Sequence, residues 1–125
     1  MKFLLLNGTL KVDSELSNTF TLCQMVKAGF EALGHECELV TLSEMEYKRS
    51  TDDVQDDLQP VIQKMFTVDG LIFATPIWWG GHSSYIQTII ERMDFIETFG
   101  YENDYKPFYG KVFGTVVSVS YTHLT

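Results

Sequence analysis

Two short apolar runs, Lys2-Phe3-Leu4-Leu5-Leu6 and Gly70-Leu71-Ile72-Phe73-Ala74, each break off into a loop that opens an amphipathic stretch. An apolar run without alternation marks a strand covered on both faces, as strands are in parallel sheets. Parallel strands need crossover connections, and the segments between the runs carry helical periodicity. Two such strands side by side place their loops at one carboxyl edge, where parallel sheets form binding crevices.

The remaining segments follow the same rhythm. Ser17 or Asn18 caps a helix reaching about Leu33, with Leu22, Val26, Phe30 and Leu33 as its apolar stripe and Gly34 as its stop. Glu36–Leu42 reads as a second strand, and its charges at Glu36 and Glu38 suit a sheet edge. Ser43–Asp53 is polar and reads as loop. A helix then starts near Asp56, since Pro60 is tolerated only in a first turn, and it buries Leu58, Val61, Ile62, Met65 and Phe66. Leu71–Thr75 is the third strand. Ser83 or Ser84 caps a third helix with Ile86, Ile89, Ile90, Met93 and Ile96 inward. Tyr101–Tyr109 reads as loop and Lys111–Ser118 as a fourth strand. Strict alternation of strand and helix predicts an α/β fold with right-handed crossovers.

At 125 residues the chain suits one domain that buries roughly two-thirds of its unfolded surface. The formal net charge of −8 argues against nucleic acid and against an anionic membrane surface. It does not exclude an anionic small molecule, because a local nest of N–H groups can overrule the global sign. No run approaches the ~18 apolar residues of a membrane span, and the opening apolar run is too short for a signal core, so a cytoplasmic location is expected. Cys23 and Cys37 lack a metal or disulfide-framework spacing and read as small buried hydrophobes. Residues 119–125, Val-Ser-Tyr-Thr-His-Leu-Thr, match an in-frame sequencing-library adapter and read as a non-native tail. That leaves residues 1–118 as the domain, with its last strand and helix expected to be missing.

The first loop sets Thr9, Ser17, Asn18 and Thr19 around a helix N-terminus, with Gly8 allowing a sharp turn and Lys11 adding a point charge. A helix N-terminus favours an anion by roughly 0.3–1 kcal/mol per contact. Neither a GxxxxGKS nor a GxGxxG pattern is present, so the loop suits a terminal monophosphate better than a triphosphate or pyrophosphate. Taken alone it is also an ordinary helix cap. The second loop, Thr75-Pro76-Ile77-Trp78-Trp79-Gly80-Gly81-His82, is less ordinary. Adjacent tryptophans in a loop must cover something: the core, a partner subunit or a ligand. One indole packing beneath the loop and the other at a dimer contact is the plain alternative. Together the two loops suit a phosphorylated aromatic cofactor. His82 is a solvated loop residue or a contact to such a ring. The acidic pairs Asp52-Asp53 and Asp56-Asp57 read as cap and surface features, and no metal site is expected.

These residues resemble the flavodoxin-like NAD(P)H-dependent FMN reductase family. The resemblance rests on Asn7-Gly8-Thr9 with Ser17-Asn18-Thr19, on Gly34-His35-Glu36, on Asp69 through Gly80, and on Ile90-Glu91-Arg92. It implies a flavodoxin-like doubly wound sheet of order 2-1-3-4-5. It also implies FMN as cofactor, held at its phosphate by Thr9, Lys11, Ser17, Asn18 and Thr19, and at its ring by Pro76, Ile77, Trp78, Trp79 and Gly80. NAD(P)H as co-substrate, a quinone, flavin or similar acceptor, and a homodimer are implied as well. Gln87 and Glu91 depart from the Lys and Asp of many relatives. The cysteine cluster of iron–sulfur members is missing after the second strand.

Flavin chemistry needs no protein acid, base or nucleophile for hydride transfer, so no catalytic side chain is expected. The alternative is a flavodoxin-type electron carrier that binds FMN without reacting with nicotinamide. A phosphoacceptor domain of the same fold is excluded, because Asn7 and Thr75 stand where its acidic pocket would be.

Overall fold

The computed structural model describes residues 1–11, 17–48, 55–104 and 106–119. Its elements run β1 (Lys2–Asn7), α1 (Asn18–Ala32), β2 (Glu36–Thr41), α2 (Leu58–Met65), β3 (Gly70–Pro76), α3 (Ser84–Glu102) and β4 (Val112–Ser118). A 3-10 turn at Leu42–Glu44 follows β2. All strand pairs are parallel, in the order β2-β1-β3-β4. The acidic pair Asp52-Asp53 and residues 120–125 of the expected tail lie outside the described residues.

The central strands β1 and β3 are covered on both faces, which is why they read as unbroken apolar runs. Leu4, Leu6 and Leu71 face α2 and α3, where Leu58, Val61, Ile62, Met65, Ile86 and Ile89 complete the larger core. Phe3, Leu5, Ile72 and Ala74 face α1, meeting Cys23, Val26 and Phe30. Phe3 stacks on Phe30 with ring centroids 4.2 Å apart. Leu4, Leu5 and Leu6 are fully enclosed, and each contributes about 1.5–3 kcal/mol by leaving water. Both cysteines sit in this second core. Burial, reinforced by neighbouring Cys37, pushes the Cys23 thiol up to about 12, so it is held protonated, as a small hydrophobe should be.

The helix ends follow their capping residues. Ser17 caps α1, accepting the Phe20 N–H at 3.0 Å. At the other end Gly34 takes φ 87°, and the N–H groups of His35 and Gly34 close on Phe30 and Glu31 carbonyls in a Schellman arrangement. Leu33 is therefore already in the turn and 76% exposed, outside the inward stripe, which is buried Thr19 and Cys23 with half-buried Val26 and Phe30. Pro60 is the third residue of α2, inside its first turn as required.

Three further expectations are corrected. Phe66 ends α2 part-exposed, stacked on Phe108 rather than sealed in the core. Ile90 is exposed because it faces an open groove between α3 and β4. Finally, α3 continues to Glu102, past the expected break at Tyr101.

Candidate functional site

Every strand carries a buried polar residue at its carboxyl end. Asn7, Thr41 and Ser118 close β1, β2 and β4, and Thr75 stands one residue before the end of β3; all four are buried. Buried polar groups need partners, so these ends are woven to the loops above them. Asn7 donates to Thr41 Oγ1 at 3.2 Å and accepts from the Thr9 N–H at 3.1 Å. Thr75 Oγ1 accepts from the Ser83 N–H at 2.8 Å and donates to the Pro76 carbonyl at 2.8 Å. Ser118 Oγ meets Thr19 Oγ1 at 2.7 Å, and the Ser118 carbonyl accepts from the Ile77 N–H at 2.9 Å.

Above β1 the hydroxyls of Thr9 and Ser17, 2% and 1% exposed, form a knot at the start of α1. Ser17 Oγ donates to Thr9 Oγ1 at 2.7 Å while accepting from Phe20 N. Thr9 Oγ1 also accepts from the Lys11 N–H at 3.3 Å. With two donors already on that oxygen, the remaining Thr9 proton has no acceptor among the described residues. The Asn18 and Thr19 N–H groups lie in the first turn and have no intrahelical acceptor. No acidic residue stands in that turn. This donor set, hydroxyl and amide protons at a positive helix end, fits the oxyanion of a monophosphate. The structure thus brings Thr9, Ser17 and Thr19 together, with Asn18 exposed beside them and Lys11 on the surface.

Gly8 belongs to the site for a different reason than turning. Its N–H reaches the Ala74 carbonyl at 2.8 Å, and a Cβ there would lie 2.5 Å from Ile86 Cγ1 and 2.9 Å from Ala74 O. Among the glycines with positive φ, Gly8 does not appear, so close approach of the β1 loop to β3 and α3 is what demands glycine.

The second loop rises from β3 as a tight turn. Trp78 and Gly81 exchange both backbone hydrogen bonds at 3.0 Å, with Trp79 at φ 51° and Gly80 at φ 79°. Positive φ at both central positions is the type I′ geometry, which ordinarily calls for Asn-Gly. Trp79 is fully exposed and covers nothing within the chain, while Trp78 is 45% exposed. Pro76 is buried as the last residue of β3, Ile77 is half-buried, and the Gly80 backbone has open space around its Cα. His82 is exposed and bonds to Gln87, which in turn donates to Glu91 at 3.3 Å.

Asp56 is not a surface feature. One of its oxygens takes the Lys48 N–H at 3.0 Å and the guanidinium of Arg92, itself only 3% exposed. Burial pushes the Asp56 carboxyl up, but the Lys48 N–H, the Arg92 guanidinium and the Leu58 N–H outweigh it and hold the group below the usual carboxylate range. Sequence reading missed this pair and missed Ser118. The signal for Ser118 was present in the recurrence of a polar residue at the end of each apolar run.

A groove of about 870 Å³ runs between α3 and β4 under the second loop, with Phe73, Ile90, Met93, Phe113 and Val117 among its walls. Glu91, Asp94 and Glu97 line its α3 side, which makes it unsuited to a phosphate. No helix among the described residues is long and apolar enough to cross a membrane, and no group of three metal-ligating side chains occurs among them.

A four-stranded parallel sheet of order 2-1-3-4, with helices on both faces and two loops at the carboxyl edge, defines a flavodoxin-like fold. The family described as NADPH-dependent FMN reductase matches residues 1–124, and the chain belongs to that family. An iron-sulfur flavoprotein of Archaeoglobus fulgidus is 27% identical over 101 residues, covering 74% of this chain and 48% of that protein. YwqN of Bacillus subtilis is 30% identical over 96 residues, covering 74% of this chain and 51% of its own. The chain thus spans about half the length of these curated relatives. Among solved structures, RosB with bound 8-demethyl-8-formylriboflavin-5′-phosphate superposes with TM-score 0.79 at 26% identity, covering 96% of this chain and 52% of RosB.

Proposed function

We propose that the protein is an oxidoreductase that binds FMN and carries reducing equivalents from NAD(P)H to a quinone, a flavin or a similar acceptor. The observation that carries this reading is the pairing at one sheet edge of the Thr9–Ser17 hydroxyl knot with the exposed Trp78-Trp79 turn. The family membership and the riboflavin phosphate held by RosB support it. Thr9, Ser17, Asn18 and Thr19, with Lys11 alongside, would hold the phosphate. Pro76, Ile77, Trp78, Trp79 and Gly80 would flank the ring.

When bound, FMN supplies the hydride chemistry, and the protein supplies binding, orientation and electrostatics. The helix end and hydroxyl protons fix the anionic tail. The open Gly80 backbone lets a flat ring approach without side-chain interference. The exposed indoles offer apolar surface that excludes water from one side of the ring. No side chain is assigned a proton transfer. The same reading takes the protein as a cytoplasmic homodimer built on a domain of residues 1–118, which fractionation, sedimentation and limited proteolysis would test.

Titrating FMN into the purified protein should quench flavin fluorescence, and the complex should oxidise NAD(P)H when a quinone is supplied. Unchanged flavin fluorescence would reject the proposal. An FMN complex that NAD(P)H cannot reduce would instead identify an electron carrier of the same fold.

A further inference from the structure

We propose that Ser118 is a positioning residue that sets the spacing between the phosphate-binding and ring-binding loops, an inference that rests on the FMN reading above. Ser118 is the last residue of β4 and is buried, yet the reading of the two loops gives it no role. Besides its place opposite Pro76 in the β3–β4 ladder, it makes two hydrogen bonds that lead toward the two loops. Its hydroxyl lies 2.7 Å from Thr19 Oγ1, in the first turn of α1. Its carbonyl takes the N–H of Ile77, the first residue beyond β3, at 2.9 Å.

The surroundings make the hydroxyl pair conspicuous. Elsewhere the α1 face of the sheet is filled by Cys23, Val26, Phe30, Ile72, Ala74 and Val116. Two hydroxyls buried beside such an interface lose their hydration, and among the described residues each is the other's side-chain partner. A bond of this kind adds little net stability. What it adds is a fixed position, because sliding α1 along the sheet would leave both hydroxyls unpaired. Thr19 is also a first-turn residue whose N–H has no intrahelical acceptor and, unlike that of Phe20, is not taken by the Ser17 cap. Holding its side chain therefore holds the direction of an anion-binding donor. Through its main chain the same serine anchors the entry to the Trp78-Trp79 turn. The two ends of the ligand are thus referred to one residue on β4, a strand that carries neither loop.

The side-chain and main-chain contacts can be separated by mutation. Ser118→Ala removes the bond to Thr19 and keeps the carbonyl that holds Ile77. Binding of FMN should weaken about tenfold, the net worth of one hydrogen bond, while riboflavin, which has the same ring without the phosphate, should bind as before. The ³¹P resonance of bound FMN should shift in the variant. Thr19→Val cuts the same bond from the other side and serves if Ser118→Ala fails to fold. The double variant should bind FMN no more weakly than the worse single variant, because both remove one interaction. Equal weakening toward FMN and riboflavin would show that β4 has merely loosened and would overturn the inference, as would no change toward either. Additive losses in the double variant would also overturn it. Should the unaltered protein bind neither ligand, the FMN reading falls and takes this inference with it.

Discussion

At Gly8 the limit is space, and at Trp79 it is backbone angle. A methyl group on Gly8 would press on Ile86, on Ser83 Oγ at 2.8 Å and on the Ala74 carbonyl, and backbone cannot swing aside as a side-chain tip can. Gly8→Ala should therefore lose about 1–3 kcal/mol of stability, the usual cost of overpacking, seen as a lower urea midpoint. Trp79 presents the opposite case. A bulky residue at φ 51° is strained, and the side chain is fully exposed, so nothing in the chain itself compensates. Strain of this kind persists where function requires it. Trp79→Asn supplies the residue that the turn prefers and should raise stability by up to about 1 kcal/mol. The same variant should bind FMN less tightly. A variant that gains stability with unchanged FMN affinity would remove Trp79 from the site. The sequence showed that two tryptophans stood in a loop, but their exposure depends on the turn closing between Trp78 and Gly81, which composition does not encode.

Whole elements were the most legible level. Ser17 before α1 and Gly34 after it carry their roles in their chemistry, as does Pro60 within the first turn of α2. Less legible were contacts between elements distant in the chain. The segment before α2 is tied to α3 by Asp56, which holds the Lys48 N–H and the buried Arg92 together, while Asp57 accepts the Glu46 N–H at 2.8 Å. An acidic pair in a polar stretch looks like surface until the buried arginine thirty-six positions on is placed against it. The Nε of Arg92 has no partner among the described residues; its guanidinium is held by the Lys48 carbonyl at 3.2 Å and by Asp56, which supplies the opposite charge. Asp56→Asn should cost about 3–5 kcal/mol at neutral pH, as expected when one member of a buried ion pair is lost. The folded carboxyl titrates below its ordinary value of 3.8, so its contribution is complete above that pH. That contribution disappears as pH falls through the lowered folded value. Urea midpoints of the two proteins should therefore converge on acidification below about pH 4. A gap that persists undiminished in strong acid would mean that the charge is not what holds the segment.

The two edges of the sheet differ, and the difference governs how the whole molecule behaves in solution. The parallel core was readable because each of its strands is an apolar run between helical periods. The edges depend on which strand has no neighbour, which a single run cannot reveal. On β2, Glu36 and Glu38 point outward and pair with Lys2 and Lys64, so that edge carries the charges that discourage further pairing. On β4 the sequence from Val112 to Ser118 holds no charge and no proline, and Val112, Phe113 and Val117 are about half exposed. Among the described residues β4 has no outer neighbour, and a bare, uncharged edge above an apolar groove is a template for another strand. The net charge of −8 opposes close approach of copies only over a Debye length, about 8 Å at physiological salt. Association should therefore grow with ionic strength, the reverse of what a charge-driven contact would do. Thr115→Lys places one cation at an exposed position in the middle of β4, beside Phe73 in the register, and leaves both cores untouched. That variant should stay monodisperse in light scattering at salt concentrations where the unaltered protein assembles. Assembly that persists in the lysine variant would locate the contact elsewhere, with the exposed Trp78-Trp79 turn the next surface to test.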